Sequence, residues 1–479
     1  MFQLPLMLRD GTNSLSPVNL SIGGATDYFY ADGARSNPRK VAGSWIWKFV
    51  NDFNAYAQWE FLGGSSGTIA PTEGFTMKGI EGSGTLNLNV EDQNYVFIGK
   101  PNNVPFGVAG TPLVHTTFAV PADPDYPNVS LTGNPFPSAL DADQFIVDNQ
   151  NSTDATLYFW EHWSNGTHEW AKYQGGYAIR KVNNGVPAVT HPHVSTGGSA
   201  RSTPGDYVPV GQGFYVVSSA AGGDVEFKNS QRFFRRETEN GGSSSVFIKG
   251  AKKKKNTLND KSYYVPDEEI MRIRLGFESP DGFHRQVLAA FFEGATDGID
   301  RLYDGKAGDF LENDAFFLQE DRYFVIQAFG EFNKQREIPI SVFISESQDG
   351  GIQKFMIDDL ENVPDNVDIY IKDYHNDGET YDIRNMNSFD IELEAGEHKD
   401  RFALVFQSRS SRLDEIERIE DGVTIFMNND NKEVNIHKSA ELEFKRVVLF
   451  NYIGQQIKVW DKDLEAREIK LPAERVSTG

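Results

Sequence analysis

Four carboxylates fall within one glycine-rich stretch of the chain. They are Glu293, Asp297, Asp300 and Asp304, in the sequence EGATDGIDRLYDG. Calcium takes roughly six to eight oxygen ligands and tolerates a flexible backbone, so closely spaced carboxylates beside glycines suit it. The spacing is not that of an EF-hand loop. The sequence therefore predicts a calcium site here, with a solvated acidic turn as the alternative.

A second group of acids, Asp141, Asp143 and Asp148, is a weaker candidate for the same ion. Asp141 follows Ser138 by three positions, which is the spacing of a capping box before a short helix. We therefore expect Asp141 to cap a helix that runs through Phe145 rather than to bind a metal.

Aromatic residues offer a different chemistry. Trp160, Trp163 and Trp170 lie close together in the sequence, the first two within LYFWEHW at 157–163. Tryptophan faces can stack on sugar rings, so the three residues are candidate glycan contacts. The alternative is that Trp160 and Trp163 belong to a core, because an aromatic segment of this kind is typical of a strand buried on both faces.

Recognisable catalytic patterns are missing from the sequence. It contains no Gly-x-Ser-x-Gly elbow, no His-Glu-x-x-His and no phosphate-binding loop. With 69 Asp and Glu residues, chance pairs of carboxylates are certain, so polysaccharide hydrolysis stays open. We assign no catalytic residue and expect a non-enzymatic role.

The elements that must position these residues are predicted to be β-strands. The chain has 35 Phe, 18 Tyr, 44 Gly and 21 Pro, a composition typical of short aromatic-rich strands joined by turns. For example, MRIRLGF at 271–277 alternates apolar and basic residues, which predicts a half-buried strand. The predicted fold class is all-β, with serial β-sandwich or jelly-roll-like domains followed by a small Ig-like sandwich.

Changes in composition along the 479 residues predict the domain boundaries. Residues 1–235 are predicted to form a β-rich domain, with two sub-domains divided near 120 as the alternative, and residues 265–410 are predicted to form a β-sandwich domain. Between them, 236–264 contains ETENGGSSS and four consecutive lysines and is predicted to be a flexible linker. Residues 411–479 form a smaller C-terminal module.

Charge and cysteine content restrict the partners. The net charge is −23, which disfavours nucleic acid because the phosphates would be repelled, and there is no cysteine to form disulfides. No run approaches about 18 consecutive apolar residues, so we expect no membrane-spanning segment.

The stretch VVLFNYIGQQIKVW at 447–460 reads as strand, turn and strand. Its first thirteen residues resemble the "strand, Asn-x-x-Gly-Gln, strand" signature of type A sorting domains in large Bacteroidota proteins of the type IX secretion system. Segments at 95–102, 133–146, 157–163, 211–214 and 293–303 also resemble the C-terminal halves of such proteins. The residues that carry the export signal in this resemblance are Val447, Phe450, Tyr452, Gly454, Gln455, Ile457 and Val459.

The resemblance implies an export route and a fold, but it assigns no catalytic activity. It implies export by the type IX machinery, an extracellular or cell-surface location, and an Ig-like fold for 411–479. In the family further strands follow the turn near 476–479, whereas this sequence stops at Gly479. We expect a truncated module, with completion by a strand from another molecule as the alternative.

The function expected from these features is that of a secreted or surface structural protein or adhesin. The alternatives are an extracellular polysaccharide-binding or hydrolysing protein, with surface glycans as partners, and a filament subunit. In the filament, residues 1–22 would donate a strand to the C-terminal module of a neighbouring copy.

Overall fold

The computed structural model consists mostly of β-strands and contains little helix, which confirms the all-β fold class. No helix of the described residues is long and apolar enough to cross a bilayer. The structure describes residues 6–9, 18–19, 46–49, 59–62, 69, 71–76, 94–97, 102, 113–117, 129–162, 175–189, 203–234, 269–408, 423–428, 433–438, 443–450, 456–462 and 464–472.

The strands are short in the first half of the chain and longer in the second. The first half contains β1 (Leu6–Arg9), β2 (Val18–Asn19), β3 (Trp47–Phe49), β4 (Trp59–Phe61), β5 (Phe75–Thr76), β6 (Asn94–Phe97), β7 (Leu113–Thr117), β8 (Val129–Gly133), β9 (Ala139–Asp141), the helix α1 (Ala142–Asp148), β10 (Leu157–His162), β11 (Gly175–Lys181), β12 (Asn184–Val186), β13 (Tyr207–Val208), β14 (Gly213–Val217), β15 (Gly223–Phe227) and β16 (Arg232–Phe233).

The second half has longer strands. It contains β17 (Met271–Glu278), β18 (His284–Phe291), β19 (Gly305–Lys306), β20 (Asp314–Gln319), β21 (Arg322–Phe329), β22 (Glu337–Ile344), β23 (Gly351–Glu361), β24 (Val367–Asp373), β25 (Glu379–Asp382), β26 (Phe389–Leu393), β27 (Gly396–Ser408), β28 (Val423–Asn428), β29 (Glu433–Lys438), β30 (Val447–Phe450), β31 (Gln456–Trp460) and β32 (Glu468–Pro472).

Helix α1 and a five-stranded sheet of order β12-β11-β10-β14-β8 enclose the first core. The predicted helix is confirmed, and its cap is Asp141, whose Oδ1 accepts from the Gln144 N–H at 2.9 Å. Phe145 of the helix packs on Phe214 and Phe227, with ring centroids 5.3 and 4.9 Å apart. The helix therefore supplies one aromatic side chain, that of Phe145, to the core that it covers.

The largest sheet has the order β25-β24-β27-β22-β20-β21-β18-β17-β23-β26, with β19 added beside β21. Its two end strands lie near each other, because Tyr381 of β25 stacks on Phe389 of β26 at 3.9 Å between ring centroids. Phe355 packs against Phe277, Phe389 and Phe402, so phenylalanines from several strands fill one side of the curled sheet.

The two sheets share buried apolar side chains. Ile179 and Val186 of the β11–β12 hairpin pack with Leu288, Phe316 and Val325 of the large sheet in one cluster. One compact unit accordingly spans residues 1–333, 337–363 and 370–404, on both sides of the predicted linker. The linker itself, residues 236–264, lies outside the described residues, and the boundary predicted there stays a prediction.

The second compact unit contains the C-terminal strands. Strands β28, β29 and β32 form one sheet, and β30 pairs with β31 as an antiparallel hairpin. Ile436, Leu464, Ile469 and Leu471 form a small core against which Val447 and Trp460 of the hairpin pack.

Candidate functional site

The stretch predicted to bind calcium folds into a turn that binds its own backbone. The Oδ2 atom of Asp300 accepts from the Thr296 N–H at 2.5 Å, and Oδ2 of Asp304 accepts from the Asp300 N–H at 2.6 Å. The Oδ1 atom of Asp304 reaches the Ala328 N–H on β21 at 2.7 Å. Glu293 and Asp297 are exposed.

The four acids are therefore not gathered around one point. In the part of the chain that the structure describes, no group of three or more His, Asp or Glu side chains is arranged to hold a metal ion. Burial raises the pKa of Asp304 to about 6, although its two N–H donors act in the opposite direction. The observed role of Asp300 and Asp304 is to fix the turn.

The second group of acids is also dispersed. Asp141 caps α1, and the Asp143 carboxylate lies 2.7 Å from Nη2 of the buried Arg180. Asp148 accepts from the side-chain amides of Gln144 and Gln231 at 2.8 and 2.9 Å. Each acid thus has a separate polar partner.

The Asp300–Asp304 turn is attached to β11 by the buried Lys181. Its ammonium donates to the Arg301 main-chain oxygen at 2.6 Å, to Thr156 Oγ1 at 3.2 Å and to the Asp154 main-chain oxygen at 3.3 Å. Burial lowers the pKa of Lys181 to about 8, although the Asp154 and Asp304 carboxylates oppose the shift. All three donors of the ammonium have acceptors, and together they join β11 to the segment before β10 and to the Asp300–Asp304 turn.

Of the three tryptophans, Trp160 is described, and Trp163 and Trp170 lie outside the described residues. Trp160 is half-buried and begins an aromatic row that continues through Tyr177, Tyr215, Phe49 and Trp59, with centroid separations of 5.0, 5.6, 5.7 and 5.1 Å. The rings meet edge to face, at interplanar angles of 63 to 87°. This is the packing that aromatic side chains adopt against one another. Sugar stacking on Trp160 stays a prediction.

The residues predicted to carry the export signal lie on and between β30 and β31. Val447 is half-buried against the small core, whereas Ile457 and Val459 are 46% and 36% exposed. Phe450 ends β30, and Tyr452, Gly454 and Gln455 lie outside the described residues. The predicted strand–turn–strand pattern is confirmed for both strands.

Buried arginines form two further links that the sequence did not reveal. Nε and Nη2 of Arg285 lie 2.8 and 2.6 Å from the two carboxylate oxygens of Asp314. Arg272 and Arg274 share Glu361 and also donate to the β11–β12 turn, to the Asn183 and Gly185 main-chain oxygens at 2.8 and 2.9 Å. Strand β17 is thereby buried on both faces, and the prediction of a half-buried strand is wrong for this reason.

An exposed cluster on the large sheet combines aromatic rings with fixed polar groups. We call it the aromatic–carboxylate patch. Phe310 is 43% exposed and packs edge to face on Tyr323 and Phe343, with centroids 5.7 and 6.1 Å away. The members of the patch are Phe310, Tyr323, Ser341, Phe343, Glu397 and Lys399.

The carboxylate of the patch is held by two hydroxyl groups. Oε1 of the exposed Glu397 accepts from Tyr323 at 2.6 Å and from the fully buried Ser341 at 3.2 Å. Burial and the adjacent carboxylate raise the pKa of the Tyr323 phenol, which therefore remains a donor. Lys399 lies over the Tyr323 ring at 5.7 Å and pairs with Asp321 at 3.0 Å.

Such a surface can bind a partner that has both an apolar face and hydroxyl groups, because it offers a ring, an anchored acceptor and an ammonium. Sequence reasoning missed it because its members come from a turn and from the three strands β21, β22 and β27. The one usable signal was the aromatic density of 310–324, FLENDAFFLQEDRYF.

Comparison with known proteins gives a family but no activity. No curated protein and no solved structure matches the chain. One family, described as Domain of unknown function (DUF8693), matches residues 33–406 of 479, which is well over half of the chain and most of the first compact unit. The chain therefore belongs to the DUF8693 family.

Proposed function

We propose that the protein is a secreted or cell-surface adhesion protein that is exported by the type IX secretion system. The aromatic–carboxylate patch is the observation that carries the adhesive part of the proposal. An exposed aromatic ring beside a fixed carboxylate is a surface that contributes binding energy when a partner covers it.

The scaffold around the patch supports this role. Arg285, Lys181 and the Arg272–Arg274 pair are buried and bound to carboxylates or main-chain oxygens of distant segments. Breaking a buried pair leaves an uncompensated charge, which costs several kcal/mol. These links favour a rigid framework that presents the patch in a fixed geometry.

The export part of the proposal rests on the resemblance of 447–459 to a sorting signature. Its test is to delete residues 411–479 in the producing organism and to follow the protein in the cell-surface and medium fractions. We expect the truncated chain to remain inside the cell. Unchanged export would refute the role of residues 411–479 as an export signal.

The adhesive part needs a separate test. Purified full chain, coated on beads, should attach to the producing cells or to their extracellular matrix. The Phe310→Ala variant should attach several-fold less. Tyr374→Ala is the matched control, since Tyr374 directly follows β24 of the same sheet and is 42% exposed. Equal attachment of Phe310→Ala and the wild type would remove the patch from the proposal.

The filament alternative has no comparable support. In the structure β1 (Leu6–Arg9) pairs with β2 and with β6 of the same chain, so this part of the proposed donor segment already has strand partners.

A further inference from the structure

We infer that the aromatic–carboxylate patch binds a neutral glycan, with one sugar ring stacked on Phe310 and its hydroxyl groups bonded to Glu397. The inference names the partner of the site on which the proposed adhesive function depends. It rests on the shape, the hydrogen-bonding groups and the charge of the patch.

The apolar contact comes from Phe310. Its ring is fixed by edge contacts to Tyr323 and Phe343 and by a tilted contact to Phe316 at 4.9 Å, yet 43% of the residue remains exposed. A pyranose presents one face of C–H groups of about the size of a phenyl ring. Such a ligand can cover Phe310 while its hydroxyl groups stay at the edge of the contact.

The polar contact comes from Glu397. Tyr323 and Ser341 both donate to Oε1, which fixes the carboxylate and leaves Oε2 without a hydrogen bond among the described residues. A carboxylate is an acceptor that pairs well with a hydroxyl donor, and pre-fixing it reduces the entropy that binding must remove. A sugar hydroxyl supplies that donor.

Charge disfavours an anionic ligand, because an anion would meet Glu397, Asp321 and a chain of net charge −23. A small cation would be attracted by Glu397, but it has no apolar face to cover Phe310, and the Lys399 ammonium already lies 5.7 Å from the centre of the Tyr323 ring. A neutral polyol covers Phe310 and can use both the carboxylate and the ammonium.

The test is a glycan array probed with the purified full chain, and it includes neutral glycans, sialylated and sulfated glycans, and basic peptides. We expect retention of neutral glycans that changes little between low and high salt. Phe310→Ala and Glu397→Gln should each weaken it by about tenfold or more, whereas Phe310→Tyr should retain it.

Matched controls are Tyr374→Ala for the loss of an exposed ring and Glu394→Gln for the loss of an exposed carboxylate. Both should bind as the wild type does, and thermal unfolding of every variant checks that it is folded. Retention of charged ligands alone, or neutral binding that survives both patch substitutions, would overturn the inference. If Phe310→Ala lowers cell attachment while the array shows no neutral glycan, the ligand assignment fails and the adhesive function stands.

Discussion

The ammonium of Lys181 lies 2.6 Å from the main-chain oxygen of Arg301, a residue 120 positions later in the chain. Lys181 is buried at the end of β11, and Arg301 belongs to the turn that Asp300 and Asp304 hold together. One buried charge therefore joins the first core to the acidic turn, and its titration should report on that contact.

Lys181 should make the free energy of unfolding depend on pH in the alkaline range. Its pKa is about 8 in the folded chain against 10.5 for an ordinary lysine, so between these values the unfolded state binds more protons. The free energy of unfolding should then rise with pH across this window, by up to about 3 kcal/mol for this group. Urea unfolding at pH 7 to 10.5 should show this rise in the wild type relative to Lys181→Met. Parallel pH curves for the two proteins would contradict the assignment.

Asp304→Asn should destabilise the turn. The carboxylate accepts two main-chain N–H groups, and an amide keeps only one acceptor oxygen and turns its own N–H₂ toward the second donor. We expect a loss of about 1 to 3 kcal/mol in the free energy of unfolding, measured by urea titration at neutral pH. Glu293→Gln, on the exposed side of the same turn, should change it by less than about 0.5 kcal/mol.

Asp314→Ala should be more damaging, because it leaves the Arg285 guanidinium buried without its closest carboxylate. Asp314 is fully buried and also accepts from the Leu311 N–H at 2.9 Å. A loss of about 3 to 5 kcal/mol is expected. Arg285 also lies 3.3 Å from the carboxylate of Asp309, so all three charges must be removed together. The triple variant Arg285→Met, Asp309→Asn and Asp314→Leu should regain part of the loss, since no uncompensated charge is then left. A triple variant less stable than Asp314→Ala would show that the charged group itself stabilises the sheet.

Gly176→Ala tests a close backbone approach in β11. An added Cβ would lie 1.6 Å from the Val189 main-chain oxygen, so the strand or its neighbour must move. Overpacking of this kind costs about 1 to 3 kcal/mol or more. The control is Gly205→Ala, where a Cβ would meet no atom within 4 Å. Similar melting temperatures for the two variants would show that the chain accommodates the methyl group at Gly176.

The sequence predicted those features that depend on neighbouring residues. Helix α1 and its Asp141 cap, and the hairpin of β30 and β31, each follow from a pattern of a few consecutive positions. The sequence marks the acidic turn as unusual. Its carboxylates bind main-chain N–H groups, however, and every residue type except proline carries that donor, so the partners cannot be predicted from the sequence.

Contacts between distant segments escaped prediction. Arg272 and Arg274 look like the solvent-facing positions of a half-buried strand, yet Glu361 and the β11–β12 turn cover them. With 69 acids in the chain, nothing in the sequence singles out Glu361 or Asp314 as the partner. The aromatic–carboxylate patch likewise depends on bringing Phe310 within ring contact of Tyr323 and Phe343.

The stacking of Tyr381 on Phe389 has a consequence for copies of this chain at high concentration. These residues belong to the two end strands of the large sheet, whose unpaired backbone groups would otherwise invite strands of neighbouring molecules. Curling the sheet until its end strands face each other restricts that access. Neighbouring copies are then less able to pair edge to edge into cross-β aggregates, and the aromatic–carboxylate patch of each copy stays accessible to a partner.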